Sequence, residues 1–170
     1  MKKIYNYFSI LIFLLLSTSN SFANKIAYID LDVVFKNSNE GKKIQTQLDS
    51  KKKEQLDKIK GEEIEIKQLE DEIRNKQNII SQEELKIEVA GLKKRVKEFN
   101  LYKNQIKKEF NKNKNEQIMN FFNKIDPLLR AYMKENSIDI LLNNKNIIIG
   151  KDSLDITEKM INIINNSLKE

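Results

Sequence analysis

From Glu40 to about Asn78 apolar residues return at helical spacing and never form a continuous run. Ile59, Ile66, Ile73 and Ile80 recur every seven residues, with Ile44, Leu48, Leu56 and Leu69 on neighbouring positions. Between them the surface is densely charged, as in Lys51-Lys52-Lys53-Glu54 and Glu62-Glu63-Ile64-Glu65. A thin apolar stripe on a wet helix predicts a coiled-coil seam and not a core helix. Asn75 to Ser81 is the place for a reversal, because Ser81-Gln82-Glu83-Glu84 reads as a capping box that starts a new helix. Leu85, Val89, Leu92, Val96, Phe99, Ile106 and Phe110 then follow alternating four- and three-residue steps, with Lys103 in one expected apolar place. Asp126-Pro127 predicts a kink or a restart, and helical character continues to about Glu135. Two antiparallel arms of roughly 40 residues follow, each about 60 Å long.

The pattern changes at both ends of this arm, residues 39–136. Lys25 to Asp30 predicts a short strand, then Asp30 or Asp32 caps a brief helix through Val33-Val34-Phe35, and Ser38 caps the arm. Ile138 to Leu142 and Ile147 to Ile149, joined by Asn143-Asn144-Lys145, predict a β-hairpin. Asp155-Ile156-Thr157-Glu158 then opens a last helix with Met160, Ile161, Ile164 and Leu168 on one face. Segments 24–38 and 137–170 together form a split body of under about 50 residues, near the limit at which a lone core supports itself. Its sheet would also leave bare edges, so self-association is expected.

The first 23 residues are set aside as a secretory signal. Lys2-Lys3 precede an apolar stretch from Ile4 to Leu16, and Ser21-Phe22-Ala23 places small residues at −3 and −1, so cleavage is predicted after Ala23. The apolar stretch falls short of the ~20 residues that span a bilayer. Lys2 and Lys3 are two of 31 basic residues against 25 acids, so the remaining chain is only mildly basic.

The chain has no His and no Cys, which excludes the usual zinc sites, thiol nucleophiles, Ser-His-Asp triads and disulfides. No glycine-rich phosphate loop occurs, and paired acids such as Glu62-Glu63 and Glu83-Glu84 read as surface charge. No catalytic residue, metal or cofactor is expected. Aromatic residues do not interleave with the basic runs, which argues against nucleic-acid binding. The second arm carries Lys93, Lys94, Arg95, Lys97, Lys107 and Lys108. These form either a cationic wall for acidic clients or anionic lipid headgroups, or a solvated face paired with acids of the other arm. Ile59, Ile66, Ile73, Leu85, Leu92 and Phe99 either zip the arms together or, with Ile79 and Ile80 near the tip, touch clients.

The order of these pieces resembles the Skp/OmpH family of periplasmic chaperones. The matching residues are Lys25-Ile26-Ala27-Tyr28-Ile29-Asp30 running to Phe35, then Ile138 to Leu142, Ile147 to Ile149 and Asp155-Ile156-Thr157, around two long charged helices. The resemblance implies a mainly α fold: a helical hairpin mounted on a three-stranded β/α body, assembled as a jellyfish-like homotrimer. It implies an ATP-independent periplasmic holdase that keeps unfolded outer-membrane proteins in the cavity between its arms. Ile26, Tyr28, Ile29, Phe35, Ile140, Leu142, Ile148, Asp155 and Ile156 would build the trimer body. Some members carry strongly basic tips, whereas the first arm here ends in Glu70-Asp71-Glu72 with only Arg74 and Lys76 nearby, which argues against lipopolysaccharide binding through tip cations. The alternative is a coiled-coil spacer of the cell envelope.

Overall fold

The computed structural model describes residues 24–169. The signal segment and its cleavage site lie outside them. Strand β1 (Ile26–Ile29) is followed by α1 (Leu31–Asn37), α2 (Asn39–Lys76), α3 (Gln82–Glu135), β2 (Ile140–Asn143) and α4 (Thr157–Ser167). Short 3-10 turns at Asn144–Asn146 and Asp152–Leu154 separate β2 from α4. The chain is mainly helical, with one small strand pair and two long helices.

Helices α1, α2 and α3 each start where a side chain can satisfy free N–H groups of the first turn. Asp30 accepts from the N–H groups of Asp32 and Val33, at 3.0 Å each. Ser38, fully buried, accepts from Gly41 N–H at 3.2 Å. Ser81 and Glu84 close a reciprocal box: Glu84 N–H donates to Ser81 Oγ at 3.2 Å, and Ser81 N–H donates to Glu84 Oε2 at 3.0 Å. Gly41 is needed because a Cβ there would overlap the Phe35 carbonyl where α1 turns into α2.

Helix α2 has 38 residues and α3 has 54, so α3 runs roughly four turns past the start of its partner. Those extra turns enter the body, where Phe121 and Ile125 are completely buried. Around them pack Ile29, Val34, Ile44 and Ile138, with Met160, Ile161 and Ile164 of α4 closing the other side. Asn165 of α4 accepts from Asn39 N–H at 2.7 Å, tying the last helix to the first turn of the arm.

Two expectations are corrected. Pro127 neither breaks nor restarts α3, which is continuous through it. A mid-helix proline costs roughly 3 kcal/mol. Here burial of Phe121 and Ile125 before it, and packing of Leu128 and Leu129 after it, fix both sides in one helix. The β-hairpin is absent as well: β2 pairs in parallel with β1, in the register Ile26 with Ile140 through Ile29 with Asn143. The sheet therefore has two strands among the described residues, supplemented by one bridge from Tyr28 to Asp155. Asn144–Asn146 winds into a 3-10 turn instead of reversing the chain, which carries Ile147–Ile149 off the sheet. A parallel pair needs a long crossover, and here the entire arm is that crossover.

Candidate functional site

The two-stranded sheet divides its side chains by the period-two rule. Ala27, Ile29 and Leu141 face the helices and join the core. Ile26, Tyr28, Ile140 and Leu142 occupy the other face. Tyr28 is covered there by the loop after β2: a Cβ on Gly150 would stand 2.8 Å from its ring, and its hydroxyl donates to the Lys151 carbonyl at 3.3 Å. Burial pushes the Tyr28 hydroxyl above its ordinary pKa, and the charges of Asp155 and Asp152 push the same way. Ile26, Ile140 and Leu142 stay exposed on that face, and in the loop after β2 Ile148 and Ile149 are 99% and 91% exposed. Five large aliphatic side chains of the body are thus left open.

The remaining residues expected in the trimer body turn inward. Ile29 and Ile156 are buried in the chain's own core, and the Phe35 ring meets Phe121 edge-on at 5.1 Å between centroids. Asp155 accepts from Thr157 N–H at 2.8 Å, and Thr157 Oγ1 accepts from Asp30 N–H at 2.9 Å. That chain fastens the end of β1 to the start of α4.

Along the arm, Ile73 and Phe99 are buried, while Ile59, Ile66, Ile80, Leu85 and Leu92 are half-buried between the helices. Ile79 stands alone at the tip, 82% exposed. Leu56, Ile64, Ile87 and Leu101 point away from the seam, each among charged neighbours. The seam differs from the expected one at Val96, which is exposed, while Arg95 takes the inward place. Phe99, Lys103, Ile106 and Phe110 keep the four-and-three register beyond it, so the exchange is confined to this turn. Arg95 Nη2 lies 2.5 Å from Glu65 and 3.3 Å from Glu62 on the opposite arm. Lys103 fills its gap with the ammonium 4.5 Å above the Phe99 ring and 3.7 Å from Glu63.

The candidate cationic residues separate accordingly. Arg95 is taken up by the facing arm, and Lys94 lies 4.0 Å from Glu98 one turn on. Lys93, Lys97, Lys107 and Lys108 are exposed and make no ion pair among the described residues. An open groove at mid-arm, lined by Glu62, Gly91, Arg95, Phe99 and Tyr102, offers aromatic edges without enclosure. No group of acids among the described residues is spaced to hold a metal, and no described helix is long and apolar enough to cross a membrane. Such a surface suits many weak contacts more than a desolvated small-molecule site.

Comparison with known proteins places this architecture. The family described as "Outer membrane protein (OmpH-like)" matches residues 25–164. Among solved structures, an OmpH-like protein from Caulobacter crescentus, provisionally assigned as an outer membrane chaperone, superposes with a TM-score of 0.79. The match covers 90% of each chain at 14% identity, a likeness of fold. No curated protein matches the chain. With most of its length inside the family match, this chain belongs to the OmpH-like outer membrane protein family.

Proposed function

We propose that this chain is an ATP-independent holdase of the periplasm, binding unfolded outer-membrane proteins between the helical arms of a homotrimer and keeping them from aggregating. The observation that carries the reading is the pair of unfilled apolar surfaces. One is concentrated in the body, where Ile140 and Leu142 are partly open and Ile148 and Ile149 are almost wholly uncovered by the described residues. The other is dispersed along the arm as single side chains, Leu56, Ile64, Ile87 and Leu101, set in charge. The first suits a permanent contact between copies. The second suits transient contact with many unfolded sequences, because weak contacts repeated over several arms gain avidity without demanding one sequence. Exposed Lys97 and Lys108 add attraction for acidic clients or anionic headgroups. Membership of the OmpH-like family, and the chaperone assignment of the Caulobacter protein, support the same role.

Binding of this kind lowers the free concentration of the client by mass action and needs no nucleotide. The test dilutes a denatured outer-membrane barrel into the chain lacking residues 1–23 and follows light scattering. Suppression at near-stoichiometric protein is expected, together with a trimer mass and an elongated shape in solution. Unchanged aggregation beside an intact trimer would assign the molecule to the envelope as a spacer instead. A compact monomer would end both readings.

A further inference from the structure

The charges of the arm are sorted between its two broad sides. On α3, Lys86, Lys93, Lys107 and Lys114 fall on one row with a seven-residue repeat, and Asn100 completes it. On α2, Lys53, Lys60, Lys67 and Arg74 form a second such row. Each row lies one helical position outside the seam, where successive members are about 10 Å apart. Both rows border the same broad side of the hairpin, the side on which Lys103 of the α3 seam pairs across the helices with Glu63 of α2 at 3.7 Å. Of the acids of this side, Glu70 is engaged by Arg74 at 3.2 Å, Asp71 by Lys67 at 3.9 Å and Glu63 by Lys103 at 3.7 Å, while Asp49 and Asp57 are outnumbered by the cations of the two rows. Lys53, Lys60, Lys86, Lys93, Lys107 and Lys114 are exposed and enter no ion pair among the described residues.

The other broad side is marked by the second set of inter-arm pairs, Arg95 with Glu62 and Glu65, and Lys76 with Glu88 at 3.8 Å. On α2 it carries Glu54, Glu62, Glu65 and Glu72, and on α3 it carries Glu84, Glu88, Glu98, Glu109 and Glu116. Its cations are largely neutralised in place: Lys58 lies 2.6 Å from Glu54, and Lys112 lies 3.8 Å from Glu116. Between Leu85 and Ile118, by contrast, the lysine flank of α3 carries no acid at all.

We propose that the lysine broad side of one arm is matched to the glutamate broad side of the arm beside it in a second copy of this chain, and that this lateral attraction draws the arms together. The proposal rests on the cyclic assembly described above and goes beyond it by assigning the arms' facing surfaces. Symmetry decides the partner. A twofold contact through this surface would set lysine rows against lysine rows, whereas a closed ring presents one broad side of each copy to the opposite broad side of the next. Each exposed pair is worth at most about 1 kcal/mol, but the rows repeat the same sign over the arm and at every junction of the ring. The attraction reaches about 8 Å at physiological ionic strength and is screened by added salt.

The chain has no cysteine, so Asn78→Cys at the hairpin tip accepts a single spin label whose distance to its symmetry mates reports arm spacing. An arm about 60 Å long turns a 10° swing at its base into roughly 10 Å at the tip. Tip distances are expected to lengthen by about that amount when salt rises from low to high, and in the Lys86→Glu/Lys93→Glu/Lys107→Glu variant at low salt. Adding Glu98→Lys, Glu109→Lys and Glu116→Lys to that variant exchanges the sign of both sides and should bring the tips back. Salt-independent distances in an intact oligomer would overturn this proposal alone. A monomer by mass would overturn it together with the assembly beneath it. Tips that move only when denatured client or anionic vesicles are added would give the lysine side to those partners, and would overturn it too.

Discussion

Replacing Ile148 and Ile149 with serine should take the assembly apart and leave each subunit folded. Full burial of an isoleucine side chain is worth about 1.5–3 kcal/mol. Because Ile148 and Ile149 are 99% and 91% exposed, nearly all of that transfer is available to a partner and almost none is used within the chain. A contact between copies that buried both would gain about 3–6 kcal/mol per subunit, and 1.4 kcal/mol is a factor of ten in affinity. The double variant should shift the dissociation concentration upward by roughly two to four decades, read by sedimentation or mass over a dilution series. Helical content by circular dichroism at high protein concentration should not change. An unaltered dissociation profile would refute the assignment of this face, since no other described surface collects so much uncovered aliphatic area. Loss of helix at every concentration would refute the separation of the subunit's own core from its contact face.

Three further outcomes follow from the helix ends. Ser38→Ala removes a buried cap whose acceptor holds Gly41 N–H, and should cost about 1 kcal/mol by thermal or urea unfolding. Ser137→Gly should stabilise the chain by up to about 1 kcal/mol: Ser137 holds φ at 52° where a glycine pays no Cβ penalty, and α3 ends there with Ile138 N–H on Met133 and Ser137 N–H on Lys134. The Asp30 carboxyl is held below its ordinary pKa, chiefly by the Val33 N–H, then by Asn144, the Asp32 N–H and Lys145. A depressed folded pKa gives stability that is complete above the unfolded value of 3.8 and is lost as pH falls through the folded one. Asp30→Asn, which keeps an acceptor but cannot ionise, should flatten that acid limb of the melting-temperature profile, and an unchanged limb would remove Asp30 from it.

The parts of this molecule written in local chemistry are legible in the order of its residues. Ser81 and Glu84 announce a helix start because both halves of the box lie within one turn, and Ser38 and Asp30 do the same. What local chemistry does not reveal is set by distant parts of the chain. An isolated run such as Ile147–Ile149 has the composition of a strand, and only the pairing of β1 with β2 across the whole arm leaves it without a place in the sheet. Pro127 carries a local signal that burial on both sides overrides. Arg95 turns inward beside Val96 where it meets Glu62 and Glu65 of the facing arm, a cross-arm pairing that a count of apolar positions does not register. Ser137 in a left-handed conformation has no signal, since serine is not the residue that position favours.

The distribution of apolar contact along the molecule bears on what the arms can do. In the body, Phe121, Ile125, Val34, Met160 and Ile164 are completely buried within a few turns of chain. Above it, Asp49 to Gln55 on α2 and Asn111 to Gln117 on α3 are seven-residue stretches without one apolar side chain, and they occupy the same height of the hairpin. The next buried apolar residues are Phe99 and Ile73, far up the arm. Coupling between base and tip therefore passes through a layer that contributes hydrogen-bonded helix but no hydrophobic burial, and local opening is cheapest where such burial is least. Local opening of that layer would let an arm change its direction without disturbing the subunit's own core. The proposed holdase, which must fit clients of different sizes, would gain from such opening, and a spacer with a continuous apolar seam would not.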